Sequence, residues 1–216
     1  LVEWALGDYE GDEAVFVRPL RERFNRFVSR GGAFDLLLVV NADGEVVAHN
    51  TMDRTGAQMS PELLALVSGR EYTSEAWFAD AMAGDRSAVD QHQGQLFQRA
   101  EDGVVDPADY HVGFAEPVWG PNDPTLPVGV IYGLLNWSVV QAELDEVGER
   151  DPFSGFIGAD LSSSSYSWLW RDDANTIIAH KDRGLYGMRV QEDVGLPILV
   201  ESARAGEWET PSVGEA

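Results

Sequence analysis

The feature that most constrains this chain is a strand-turn-strand pattern written into it twice. Residues 36–50 read LLLVVNADGEVVAHN, and residues 167–181 read SWLWRDDANTIIAHK. Setting Ala48-His49 on Ala179-His180 carries Val46-Val47 onto Ile177-Ile178, Gly44 onto Asn175 and Gly56 onto Gly187. Glycine and asparagine best tolerate the left-handed backbone that a tight hairpin turn requires. A repeat kept through the turn, and through the glycine that follows each histidine, implies two copies of one module. The chain reads as a tandem of small modules, and that narrows the functional question.

Charge narrows it further. Thirty-seven Asp and Glu face fifteen basic residues, giving a net charge of −22, and Lys181 is the sole lysine. Phosphates would be repelled over most of such a surface, so nucleic acid is not an expected partner. The acids are dispersed along the chain rather than gathered in one tail. Dispersed carboxylates with almost no lysine look like adaptation to multimolar salt, as in salt-loving archaea. At ~1 M salt the Debye length falls to about 3 Å, and self-repulsion is nearly cancelled. An ordinary acidic protein is the plainer alternative, and lysine depletion weighs against it.

The remaining bounds are simple. A chain of 216 residues, 44% hydrophobic and with seven Trp, can bury a real core. No run of eighteen apolar residues marks a membrane span. Leu1-Val2-Glu3-Trp4 has no basic flank of a signal peptide and no initiator Met, so the chain reads as a piece of something longer. The absence of cysteine excludes disulfides and thiolate metal sites.

Periodicity orders the elements. Phe16, Leu20, Phe24 and Phe27 recur every three or four residues, predicting an amphipathic helix over 12–30 with Pro19 inside it and Gly31-Gly32 at its end. The first hairpin follows. Ser60-Pro61 starts a helix running to Gly69, and a shorter one runs from Ser74 to Met82. The stretch 85–109 is polar and reads as irregular, with a short strand at Gln95–Gln98. Tyr110–Trp119 and Val128–Trp137 read as an antiparallel pair joined by Gly120-Pro121-Asn122-Asp123-Pro124. A helix resumes over Gln141–Val147. Segment 148–165 is rich in Gly, Asp and Ser and reads as a boundary, and Leu196–Ala205 as a last helix.

The succession of a long helix, NADGEVVAHN, an AWF helix, FAEPVWG, VGVIYGLLNWS and NTIIAHKDRGLYG resembles a double Cache sensor domain. Such domains are extracytoplasmic ligand-binding parts of chemoreceptors and sensor kinases. The resemblance covers roughly residues 10–190. It implies an α+β fold in which a long N-terminal helix, 1–34, braces two tandem PAS-like modules with antiparallel sheets. The membrane-distal module would be 35–150, and the membrane-proximal one, 151–216, is apparently truncated. It also implies flanking transmembrane helices and an extracellular location at the cell membrane.

In the family the ligand lies between the distal sheet and the short helices covering it. The resemblance therefore makes Trp77, Phe78, Tyr110, Phe114, Tyr132 and Asn136 the candidate ligand-binding residues. Trp77-Phe78 matches the aromatic pair of the family's amino-acid motif. Glu75 stands where the family has an arginine for the ligand carboxylate, Arg70 where it has a tyrosine, and Asn136 where it has an aspartate for the ammonium. A neutral or cationic ligand, a quaternary amine or an amino-acid-like solute, fits these departures better than a bare carboxylate. Trp77, Phe78, Tyr110, Phe114 and Trp137 either cage a quaternary ammonium through cation–π attraction or are ordinary core.

Other functions find little support. Asp90, His92 and His111 lack a metal spacing such as HExxH, and no nucleophile elbow or phosphate-cradling glycine loop is present. His49 and His180 occupy equivalent positions in the repeat and so read as structural. Neither catalytic residues nor a cofactor nor a metal is expected, and a small metal-dependent hydrolase is a remote third reading. A ligand-free relay module, dimerising through the N-terminal helix, is the second.

Overall fold

The computed structural model describes residues 13–93, 109–149, 169–171, 175–180 and 182–195. The strand expected at 95–98 and the helix expected over 196–205 lie outside them. The fold is α+β with an antiparallel sheet. The chain divides into two compact units, one ending at Trp137 and the other beginning its helical part at Ser138.

In the first unit, helix α1 (Glu13–Gly31) carries Pro19 within it. Its apolar stripe seats Leu20 and Phe24 on Val39 and Ala48, with Val17, Leu37, Val47 and Ile131 around them. Arg18, Arg23, Arg26 and Arg30 occupy its exposed side. Strands β1 (Phe34–Asn41) and β2 (Val46–His49) form the first hairpin. At its turn Gly44 adopts φ +82°, the left-handed conformation expected of it.

Three further strands complete the sheet: β3 (Ser87–Gln93), β4 (Tyr110–Trp119) and β5 (Pro127–Asn136), in the order β2-β1-β5-β4-β3. Every neighbouring pair is antiparallel. Strand β3 corrects the expectation of an irregular stretch. Its sequence SAVDQHQ shows little apolar alternation because it is an edge strand, held to β4 by backbone bonds, with Val89 half-packed on the core.

Alternation gives the sheet two different faces. Leu36, Leu38, Val40, Ala115, Val130, Tyr132 and Leu134 point to one side, where helices α2 (Pro61–Gly69) and α3 (Ala76–Met82) cover them. Leu37, Val39 and Ile131 point to the other, toward α1. Ser60 caps α2, its Oγ accepting from the Leu63 N–H at 3.2 Å. Helix α3 begins at Ala76, two residues later than expected, because residues 70–75 close into a loop. Helix α4 (Trp137–Glu149) begins directly after β5, four residues earlier than periodicity predicts. Trp137-Ser138-Val139-Val140 is poor helix sequence by propensity, and its context overrides it.

In the second unit, β6 (Leu169–Trp170) and β7 (Ile177–Ala179) form a separate two-stranded sheet. The two hairpins of the repeat therefore belong to different sheets. Gly56 and Gly187 both take a left-handed backbone, φ +84° and +76°, but the hairpins before them pair one residue out of step: Val39 faces Ala48, whereas Leu169, not Trp170, faces Ala179. Gln141 on α4 accepts from the Tyr186 hydroxyl and the His180 N–H, and Arg183 pairs with Asp145 at 2.8 Å. His49 and His180 each direct a ring nitrogen at nearby backbone, His49 to the Asn50 carbonyl and His180 to the Asp182 N–H.

Candidate functional site

The α2/α3 face of the sheet gathers an aromatic group. Helix α3 presents Trp77, whose ring stacks on Tyr132 of β5 at 4.2 Å with 17° between the planes. Tyr72 leans on the same indole at 5.6 Å and Phe78 meets it edge-on at 6.1 Å. All four rings are buried. Tyr132 reaches this position by lying across Gly113 on β4. A side chain there would come within 2.9 Å of the Tyr132 ring carbons, so the glycine is what leaves room for the tyrosine.

Over these rings lies the loop between α2 and α3. Arg70 closes it by pairing with Glu75, the two side chains 32% and 29% exposed. The Arg70 guanidinium also stands 5.7 Å above the centre of the Tyr72 ring. Backbone bonds fix the loop from below, the Tyr72 N–H donating to the Gly44 carbonyl at 3.3 Å. Burial pushes the Tyr72 hydroxyl up to about 12, with Arg70 opposing and Glu75 reinforcing the shift. Burial raises Tyr132 as well, aided by the negative charge of Glu75. Both phenols are neutral hydrogen-bonding groups at ordinary pH.

Of the six residues singled out by sequence, the structure brings Trp77, Phe78 and Tyr132 together. Tyr110 and Phe114 lie elsewhere. Tyr132 pairs with Ala115, so Ala115, Gly113 and His111 share its face, and Tyr110 and Phe114 point to the opposite one. The aromatic cage built with Tyr110 and Phe114 is therefore corrected by strand register. Phe114, 46% exposed, instead lines an apolar cleft of about 390 Å³ with Phe34, Leu37, Ala88 and Ile131. Arg86 and Glu116 pair at its edge at 2.8 Å.

Asn136 is engaged within the protein. Its Nδ2 donates to Asp35 Oδ2 at 2.5 Å, and His111 Nε2 donates to the same oxygen at 2.9 Å. Arg54 approaches the other oxygen of Asp35 at 3.7 Å. Asp35 can face these partners because it is the extra residue where the β1–β5 register shifts between Phe34 and Leu36. Asn50 ties the same corner, its Oδ1 accepting from the Leu37 N–H and its Nδ2 donating to the Asp35 carbonyl.

Sequence reasoning named Arg70 and Glu75 singly, as departures from a motif, and missed that they form a pair. It missed Asp35 altogether, since a charged residue opening an apolar strand carries no signal of its partners.

No family model matches the chain, and no curated protein does. Solved structures do. The chain is similar to the ligand-binding domain of the Pseudomonas aeruginosa PAO1 amino acid chemoreceptor PctC in complex with GABA, at 22% identity and a TM-score of 0.52. The match covers 88% of this chain and 66% of that one. It is also similar to the Vibrio cholerae histidine kinase DctB sensor domain, at 13% identity, 98% and 65% coverage and a TM-score of 0.49. A third similarity is to the periplasmic sensory domain of the Campylobacter jejuni chemoreceptor Tlp1, at 10% identity, 95% and 72% coverage and a TM-score of 0.49. The first of these carries the fold: this chain shares the architecture of a chemoreceptor ligand-binding domain.

Proposed function

We propose that this chain is the extracellular ligand-binding sensor domain of a membrane-anchored signal transducer, a chemoreceptor or a histidine kinase. In this reading it is of the double Cache type and has PAS-like modules over 35–150 and 151–216. The observation that carries the proposal is the aromatic group of Tyr72, Trp77 and Tyr132 beneath the half-buried Arg70–Glu75 pair. Rings supply contact area, and a few convergent polar groups fix orientation, as in small-molecule sites generally. The ligand is a small polar molecule, neutral or cationic, such as a quaternary amine or an amino-acid-like solute. Trp77, Phe78 and Tyr132 are its proposed contacts. Dispersed acidity with one lysine supports a salt-loving archaeal source.

The test is a thermal-shift screen of amino acids, organic acids, betaines and sugars in molar salt, followed by titration calorimetry. Trp77→Phe keeps a ring in the core and should weaken binding of whichever solute raises the melting temperature. Unchanged affinity in Trp77→Phe would move the site elsewhere.

Two observations favour a second reading, a relay module that dimerises through α1 without a small ligand. Trp77 and Tyr132 already lie face to face, and Phe27 on α1 is 58% exposed. A concentration-dependent sedimentation coefficient with no hit in the screen would support it.

A further inference from the structure

We infer that Arg70 is an internal occupant of a cation site formed by Glu75 and the Tyr72 ring, and that the external ligand is a small guanidinium-bearing cation that takes its place. The inference rests on the sensor reading and assigns its ligand class.

Glu75 holds the N-cap position of α3, yet its side chain makes no capping hydrogen bond there. Its carboxylate is turned to the Arg70 Nη2 instead. The guanidinium thus has an acid at its edge and a buried aromatic ring 5.7 Å from its centre, and that ring packs on Trp77, which in turn stacks on Tyr132. Edge to carboxylate and face to ring is how proteins recognise a planar guanidinium fork, more selectively than an ammonium.

Competition with this occupant is physically easy. Both partners are about a third exposed, so the pair is screened by water and salt and holds weakly. Arg70 follows the last turn of α2, so its side chain can swing into solvent without moving a helix. An incoming cation would leave Arg70 hydrated and Glu75 neutralised. An incoming anion would have to hold Arg70 while Glu75 was displaced into a chain of charge −22. The site therefore selects cations.

Agmatine is the probe, titrated calorimetrically into the parent protein, Arg70→Met and Glu75→Gln in the same molar salt. Removing this weakly held internal competitor should tighten agmatine binding about two- to fivefold in Arg70→Met, an effect that a merely structural loop clamp does not produce. Glu75→Gln should weaken it at least tenfold. Melting curves check each variant, and Arg70→Gln replaces Arg70→Met if the latter does not fold. Equal or weaker binding in the folded Arg70 variant overturns the inference. Glycine betaine, alanine and succinate run in parallel. If one of these binds the parent while agmatine binds none of the proteins, the sensor reading stands and this inference falls. If nothing binds here, this inference falls, and the wider thermal-shift screen alone decides the sensor reading.

Discussion

Asp35 and His111 stand 76 positions apart and meet at 2.9 Å, Oδ2 to Nε2, with His111 wholly buried. The contact joins the bulged start of β1 to β4, two strands that do not neighbour each other in the sheet, across the end of β5. Asn136 on β5 donates to the same oxygen, so one carboxylate gathers three strands.

Asp35→Ala removes the acceptor that both donors use and should destabilise the protein by about 3 kcal/mol, the usual cost of breaking a buried charged network on one side. Asp35→Asn retains an acceptor oxygen and should cost less. Urea denaturation of the two variants gives the comparison. Equal midpoints for the parent and Asp35→Ala would show that this corner contributes nothing.

The pH dependence follows from His49. Burial lowers its pKa below the ordinary histidine value of 6.5, and the nearby Arg21 charge adds to this against the bond to the Asn50 carbonyl. A group whose protonation is disfavoured by folding binds its proton more readily when unfolded. Its contribution is therefore fully present above pH 6.5 and is lost as pH falls from there toward the depressed folded value. Melting temperatures should decline through that window, and His49→Gln should flatten the decline relative to the parent.

Gly56→Ala and Gly187→Ala should each cost about 1–2 kcal/mol, the price of a left-handed backbone at an L-residue. The side chain itself meets almost nothing at either site: Ser29 Cβ is 3.8 Å from the first, and no atom lies within 4 Å of the second. Similar losses on chemical denaturation would make the two bends equivalent. A cost at Gly56 alone would mean that the matching angles do not carry matching energetics.

Salt should stabilise the fold. A net charge of −22 repels itself, and screening removes most of that repulsion by molar ionic strength. The melting temperature should climb from tens of millimolar to molar potassium chloride, and a flat series would defeat the expectation.

Much of the architecture was legible because its elements are locally consistent. Ser60-Pro61 announces α2, and apolar runs bound β4 and β5 to within a residue. Legibility failed where tertiary pairing decides. Ser87–Gln93 is a strand only because β4 offers it backbone partners. Trp77 and Tyr132 could each be named, but only the pairing of Tyr132 with Ala115, rather than with Phe114, determines which rings share a face. The Arg70–Glu75 closure depends on a loop conformation that no periodicity encodes.

The unbroken alternation of β5 from Val130 to Leu134, with Tyr132 between Ile131 and Gly133, bears on how such a domain can change over generations. A single codon inserted within the strand would hand the tyrosine to the α1 side and turn an isoleucine toward Trp77, a swap of interiors that few sequences survive. Heritable changes of length are thus confined to the connections and to bulges such as the one that holds Asp35. The stretch 70–75 can lengthen, shorten or trade its charged ends while the strands beneath keep their count, so new chemistry above the Tyr72 and Trp77 rings has a short segment of gene in which to arise.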